Sequence, residues 1–219
     1  VSAGSIDSSV RCWDCRSRRP EPVQVLDEAK DGVSSVKVSD HEILAGSVDG
    51  RVRRYDLRAG ELYSDYVGSP VTCVCFTKDG QCVLVASLAS PLRLLDKDTG
   101  EMLGEYGRLC GDAGGTRGGH GGTPTSPACP RRRYCGHRSS ACRLDCVLSE
   151  RDAHVGCASE DGAVYLWDLV EGSLALRLPV GQGAVQALAF HPTRPVLLAA
   201  TGGTLQLWDT GDTAGDTGG

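Results

Sequence analysis

One short pattern recurs five times along the chain and constrains its fold more than any other feature of the sequence. Each copy has a small or polar turn, then a short alternating run, then a closing aspartate that follows an aromatic residue in four of the five copies. The closing aspartates stand at positions 14, 56, 96, 168 and 209. Their spacings are 42, 40, 72 and 41 residues, and a recurring period of this size predicts an array of similar supersecondary units.

The segments between these anchors alternate with period two. Val71–Phe76 and Gln81–Ala86 flank a Lys-Asp-Gly turn, and Val185–Phe190 and Val196–Ala200 flank a turn with two prolines. Such runs predict pairs of strands, and no long stretch has convincing helical periodicity. The sequence therefore predicts an all-β fold of small sheets packed side by side, which would bury both alternating faces.

The repeats resemble those of the WD-repeat (WD40) family, whose members form β-propellers. The matching anchors are Trp13, Asp14, Tyr55, Asp56, Asp96, Trp167, Asp168, Trp208 and Asp209. Four longer strings are similar to a seven-bladed scaffold of mitogen-activated protein kinase signalling within that family: 47–58, 93–101, 148–152 and 167–172. The resemblance implies a partial propeller of about five of seven blades, with the first and last incomplete.

The single long spacing indicates an insertion of roughly 30 residues between two blades. Residues 107–134 are rich in Gly, Pro and Arg, a composition that cannot bury a core, so we expect a disordered inserted loop there. We expect propeller blades at 1–106 and 135–210 and a disordered tail at 211–219. The sequence alone leaves open whether the insertion is a genuine loop or an error at an exon edge.

The clearest candidate for a polar set within a blade is His137, Asp161 and Trp167. The family resemblance implies that these residues hydrogen-bond to one another and stabilise the blade. Catalysis by His137 and Asp161 is the functional alternative. We expect no enzyme, because the motifs typical of hydrolases, phosphate-binding loops and metalloproteases are missing from the sequence.

Charge and cysteine content exclude further classes. The net charge is −5, which argues against binding nucleic acid with the whole domain.

The 11 cysteines are an odd number, and we interpret most of them as reduced thiols in an intracellular setting. Zinc ligation is not expected for one set of cysteines and histidines, because their spacing forms no two close pairs. This set comprises Cys110, Cys129, Cys135, Cys142 and Cys146 with His120 and His137. We expect no metal, no cofactor, no small-molecule substrate and no membrane span. Direct RNA binding through the basic insertion is not expected either.

What remains is a surface for binding other proteins. In a propeller, the loop that enters each blade and the turn between its second and third strands share one face. That face would carry Asp31, Asp49, Ser69, His137, Glu160 and Gln182, with Arg51, Arg53 and Arg54 as a basic cluster beside it. Such a contrast of charge can steer partners.

The expected function is non-catalytic scaffolding by a rigid frame of loops that holds partners at high effective concentration. The resemblance implies partners in the extracellular-signal-regulated kinase cascade, a hypoxia-related prolyl hydroxylase and spliceosomal proteins. It also implies a location in both cytoplasm and nucleus. The alternative function is that of a spliceosome-associated component in pre-mRNA splicing.

Overall fold

The computed structural model describes residues 1–17, 19–88, 92–106, 133–134 and 144–209, and these residues form strands, turns and loops without a helix. The strands fall into five sheets, which we call blades 1 to 5. Blade 1 has β1 (Ser2–Gly4), β2 (Val10–Cys12) and β3 (Gln24–Leu26). Blade 2 has β4 (Val33–Val38), β5 (Glu42–Ser47), β6 (Arg51–Asp56) and β7 (Glu61–Tyr66).

Blade 3 has β8 (Val71–Phe76), β9 (Cys82–Ser87), β10 (Leu92–Asp96), β11 (Met102–Tyr106) and β12 (Arg133–Tyr134). Blade 4 has β13 (Cys146–Leu148), β14 (His154–Ala158), β15 (Ala163–Asp168) and β16 (Leu174–Pro179). Blade 5 has β17 (Val185–Phe190), β18 (Val196–Thr201) and β19 (Thr204–Asp209). Consecutive strands pair antiparallel within each blade, except that β12 pairs parallel with β11.

The prediction of an all-β partial propeller is confirmed, and both strand pairs proposed from alternation are present. The predicted pair at 71–76 and 81–86 is β8 and β9, and that at 185–190 and 196–200 is β17 and β18. The turn between β8 and β9 contains Gly80 at a φ of +68°, a conformation that favours glycine. No described segment provides an apolar helix of the length a membrane crossing needs.

The blades pack against each other in chain order through their first strands. Strand β4 contacts β1 and β8, and β13 contacts β8 and β17. The approach is close between blades 2 and 3, where a Cβ on Gly46 would lie 2.6 Å from Val71 Cγ1. Glycine is therefore required at this point of β5 for the next blade to approach.

The hydrophobic core is divided between neighbouring blades, and two of its parts matter below. The aliphatic interface joins blades 2 and 3 and consists of Leu44, Val52, Val67, Val71, Val74, Val83, Val85 and Leu95. The thiol interface joins blades 3 and 4 and contains Cys73, Cys75, Cys146 and Cys157 with Leu84, Tyr165 and Trp167. Fully burying one Val or Leu side chain stabilises a fold by about 1.5–3 kcal/mol, so these interfaces hold the blades together.

Several sequence predictions lie outside the described residues. They are the tail at 211–219, His137, His120, Cys110, Cys129, Cys135 and Cys142, and the inserted loop as far as residue 132. The last two residues of that predicted loop, Arg133 and Tyr134, form β12 at the edge of blade 3, paired with Glu105 and Tyr106.

Candidate functional site

The closing aspartates of the repeats shape the turns between the third and fourth strands. The carboxylate of Asp56 accepts hydrogen bonds from the amides of Arg58 and Ala59 at 2.8 and 3.0 Å. Asp96 and Asp168 do the same for the amides two and three residues after them. In all three turns a glycine with positive φ stands four residues after the aspartate. The side chains of these three aspartates therefore hold the turns in place, because side-chain acceptors of this kind stabilise turn conformations.

A second set of aspartates lies in the turns between the second and third strands. In blade 2, Asp49 forms a buried ion pair with Arg53, with Oδ2 and Nη2 separated by 2.7 Å. Burial alone would raise the pKa of Asp49, but hydrogen bonds from Arg53 and from the amides of Lys30 and Arg51 outweigh it. The pKa of Asp49 is lowered to about 2, so the carboxylate stays charged at neutral pH.

In blade 4, the equivalent turn holds Asp161, which accepts a hydrogen bond from the Tyr165 hydroxyl at 2.6 Å and from Arg177 Nη2 at 3.1 Å. Burial opposes ionisation, but hydrogen bonds with Ser159, Tyr165 and Arg177 outweigh it and lower the pKa of Asp161 below its usual value. The fully buried Trp167 ring stacks on Tyr165 with 5.8 Å between ring centroids. Two members of the predicted polar set thus lie in one blade, and their relation to His137 stays a prediction.

The structure brings the predicted loops together at one face. The Asp49 carboxylate accepts a hydrogen bond from the Lys30 amide at 3.1 Å, and the Ser47 hydroxyl donates to the Asp31 carbonyl at 3.0 Å. In blade 2 the Val67 amide donates to the Gly50 carbonyl, and in blade 4 the Val180 amide donates to the Gly162 carbonyl. In both blades the turn between the second and third strands is therefore tied to the loop that follows the fourth strand. We call the loops 27–32, 47–50, 67–70, 159–162 and 180–184 the loop face.

The prediction that Arg51, Arg53 and Arg54 form an exposed basic cluster is wrong. Arg53 is buried in the ion pair with Asp49, and Arg54 is buried on the other side of β6. Arg54 donates to Glu42 at 2.6 Å and to the Lys97 carbonyl of blade 3 at 3.1 Å. Only Arg51 reaches the surface, where it lies over the Tyr66 ring at 5.4 Å. Neighbouring residues of a strand point to opposite faces, which separates Arg53 from Arg54.

On the loop face, Asp31 and Gln182 are exposed, whereas Ser69, Asp49 and Glu160 are partly buried. The carboxylates of Asp49 and Asp161 are ionised. Arginine side chains and backbone amides already compensate their negative charge. A group in that state is poorly suited to proton transfer, which needs a pKa near the working pH. The arrangement therefore favours recognition of a partner by a fixed set of loops. Whether these residues bind one stays a prediction.

A cluster of cysteines was missed by counting sequence spacings. The Sγ atoms of Cys73, Cys75 and Cys146 all lie within 4.8 Å of one another. Hydrogen bonds with Cys146 and Cys73 lower the pKa of Cys75. Hydrogen bonds with Cys73 and Cys75 raise the pKa of Cys146. The signal available in the sequence was the Cys-x-Cys pair in β8, because residues two apart in a strand share a face.

Comparisons with known proteins find a repeat family and a similar fold. The family described as "WD domain, G-beta repeat" matches residues 175–209. The crystal structure of the computationally designed Ika8 protein is similar in fold, with a TM-score of 0.67 and 20% identity over 95% of this chain and 54% of that chain. The family match covers one repeat, and the similarity to the designed protein shows the fold alone.

More particular relatives carry the name WD repeat domain-containing protein 83. The rat protein is 61% identical over 89% of this chain and 53% of its own length. The human protein is 64% identical over 88% of this chain and 52% of its own length. A fission yeast protein, the uncharacterized WD repeat-containing protein C713.05 of Schizosaccharomyces pombe, is 36% identical over 85% of this chain. The chain thus spans about half the length of the curated relatives it matches.

Proposed function

We propose that this chain acts as a non-catalytic scaffold that assembles proteins of the extracellular-signal-regulated kinase cascade. The observation that carries the scaffolding role is the loop face itself. Its loops are tied to each other by bonds such as Lys30 to Asp49 and Ser47 to Asp31, while Asp31 and Gln182 remain exposed. Fixed loops lose little conformational entropy when a partner binds, which favours affinity.

The assignment to this cascade rests on the four longer sequence strings described above, and the names of the relatives support only a WD-repeat adaptor. Protein partners, including a hypoxia-related prolyl hydroxylase, and a location in cytoplasm and nucleus belong to the same proposal. The names of these relatives give no support to the alternative role in splicing.

The proposal can be tested by capturing purified kinases of the cascade on the immobilised chain. We expect the wild-type chain to retain two consecutive kinases of the cascade at once, because a scaffold must hold both. The substitution Asp31→Lys reverses a charge on the loop face and should weaken capture. The matched control is Asp40→Lys, an equally exposed aspartate in the turn between β4 and β5 at the opposite ends of the strands.

Failure of the wild-type chain to capture any cascade kinase would contradict the cascade assignment. Capture that is weakened by Asp40→Lys but not by Asp31→Lys would place binding on the opposite face. Capture of splicing proteins alone from a cell extract, abolished by ribonuclease, would move the function to RNA processing.

A further inference from the structure

Three thiols meet between blades 3 and 4, and a carboxylate lies beside one of them. Cys73 and Cys75 lie on β8, and Cys146 begins β13. All three thiols are buried, and their Sγ atoms lie within 4.8 Å of one another. The Cys73 thiol also donates to Asp145 Oδ1 at 2.9 Å.

The sheet architecture explains why these groups meet. Residues two apart on a strand point the same way, so the side chains of Cys73 and Cys75 both face blade 4, where they join its core. The thiols of Cys73 and Cys75 donate to the carbonyl of Cys146 at 3.6 and 3.2 Å. The backbones that carry the thiols are held by strand pairing with β9 and β14, so the cluster is organised before any ligand arrives.

The separation of the sulfurs is within reach of metal ligation, and Cys73 and Cys75 are poorly placed for a disulfide with each other. A tetrahedral zinc with Zn–S bonds of about 2.3 Å needs sulfurs about 3.8 Å apart, which small side-chain rotations reach from the present cluster. Residues two apart on one strand have Cα atoms about 6.6 Å apart, at the outer limit of disulfide geometry. Three thiols would also leave one sulfur without a disulfide partner.

Asp145, whose Oδ1 lies 2.9 Å from the Cys73 sulfur, is the candidate for a fourth ligand. It is positioned by hydrogen bonds from the amide of Cys146 at 3.1 Å to Oδ1 and from the amide of Leu188 at 3.2 Å to Oδ2. Second-shell bonds of this kind orient metal ligands and maintain affinity. The carboxylate therefore approaches the thiols with a defined direction.

The cluster has access to solvent and a nearby positive charge. A cavity of about 690 Å³ is lined by Cys73, Asp145 and Lys37, and a second cavity of about 350 Å³ is lined by Cys75 and Lys37. An ion can therefore approach Cys73 and Asp145 from the first cavity and Cys75 from the second. Lys37 offsets part of the negative charge that three thiolates and a carboxylate would place around a divalent ion.

We propose that Cys73, Cys75, Cys146 and Asp145 form a structural Zn²⁺ site that links blades 3 and 4. Binding replaces the three thiol protons, which pass to solvent, by three S–Zn bonds, and the Asp145 carboxylate completes a tetrahedral set. No electron transfer is involved. The site would fasten two neighbouring blades through ligands from the first strand of each.

The test uses the full chain, reduced and freed of metal by a chelator, and then titrated with Co²⁺ or Zn²⁺. We expect one Zn²⁺ per chain by elemental analysis and, with Co²⁺, intense thiolate-to-metal absorption together with the visible bands of tetrahedral cobalt. The substitutions Cys75→Ser and Cys146→Ser should each weaken Zn²⁺ binding by at least about tenfold and reduce the absorption. Asp145→Asn should weaken binding while preserving the thiolate bands.

The matched control is Cys82→Ser, because Cys82 packs against the same core but lies outside the cluster. Circular dichroism of each variant shows whether it folds. An equal loss of metal in folded Cys82→Ser and Cys146→Ser would overturn the site, as would a wild-type chain that binds no stoichiometric Zn²⁺. A cluster disulfide in the wild-type chain as purified, before reduction, seen as a loss of two hydrogens by mass spectrometry, would also overturn it.

Discussion

The two faces of strand β8 meet neighbours of different chemistry. Val74 faces blade 2 in the aliphatic interface, whereas Cys73 and Cys75 face blade 4 in the thiol interface. Both sides are buried, so the hydrophobic effect stabilises both. The aliphatic interface consists mainly of interlocking valines, while the thiol interface combines small polarisable groups with one large ring, Trp167. The same strand thus shows two ways of joining propeller blades.

The difference continues at the rims of the two interfaces. The aliphatic interface ends in a buried ion cluster, in which Glu42 contacts Arg54 at 2.6 Å and Lys97 at 3.3 Å. Arg54 and Glu42 belong to blade 2, and Lys97 follows β10 of blade 3. The thiol interface has the Asp145 carboxylate beside Cys73 instead. One interface is therefore sealed by opposite charges and the other by groups that suit a metal ion.

Removing Trp167 should have the largest effect and would show how far the thiol interface depends on one ring. Trp167→Ala is expected to lower the free energy of unfolding by about 4 kcal/mol, because it leaves a cavity at a fully buried site. Urea denaturation measures the loss. Trp13→Ala is the control, since this partly exposed ring occupies the same place in blade 1 and should cost only about 1 kcal/mol. Equal losses would contradict the special role of Trp167.

Breaking the ion cluster tests the rim of the aliphatic interface. Glu42→Ala should lower the free energy of unfolding by about 3 kcal/mol, because Arg54 is left buried without its carboxylate. Asp98→Ala is the matched control: Asp98 lies 3.9 Å from Arg54 but is 73% exposed, so about 0.5 kcal/mol or less is expected. The free energy of unfolding of Asp98→Ala is also measured in urea. A large decrease would show that solvent exposure does not determine how much each of these two carboxylates contributes to stability.

Two neighbouring truncations on β8 compare the interfaces directly. With a chelator present, Val74→Ala should cost about 2 kcal/mol, since two buried methyl groups are removed and a cavity remains. Under the same conditions Cys75→Ala should cost about 1 kcal/mol, because a single soft atom is lost. Thermal and urea unfolding of both variants give the comparison. A greater loss for Cys75→Ala without metal would mean that the thiols pack as tightly as the valines.

Acid should weaken the aliphatic rim by a small and specific amount. Burial would raise the pKa of Glu42, but hydrogen bonds from Arg54 and Lys97 outweigh it and hold the pKa below its ordinary value. The folded-state pKa lies below the unfolded one, so this contribution is present above the unfolded value of about 4.3 and is lost as the pH falls through the folded value. Unfolding of wild type and Glu42→Gln between pH 3 and 6 should differ in slope, with the wild type losing more stability in acid. Parallel curves would contradict this role of Glu42.

The repeat anchors show why most of the fold could be predicted from the sequence. Alternation, turn glycines and the closing aspartates are local signals, so the strand pairs at β8–β9 and β17–β18 were found with nearly correct bounds. The role of Asp56, Asp96 and Asp168 as turn acceptors was also local, since each stands four residues before a glycine. It was missed because the aspartates were treated only as markers of the period.

The site was predicted less completely, because it depends on contacts between blades. Asp31 and Asp49 lie in adjoining loops, as expected for turns at the same ends of strands, and their role in binding a partner stays a prediction. The burial of Arg53 and Arg54 depends on partners in the turn and in the next blade, which sequence spacing does not show. The same holds for Cys73 and Cys146, which are 73 residues apart in sequence and share a hydrogen bond.

Because the blades contact one another in chain order, the molecule has the mechanical character of a short linear array. In such an array, stability is a sum of terms within units and terms between neighbouring units. A unit in the middle then opens only after both of its interfaces are lost. Blade 3 holds both the valine and the thiol contacts through β8. We therefore expect its amide hydrogens to be the last to exchange with solvent.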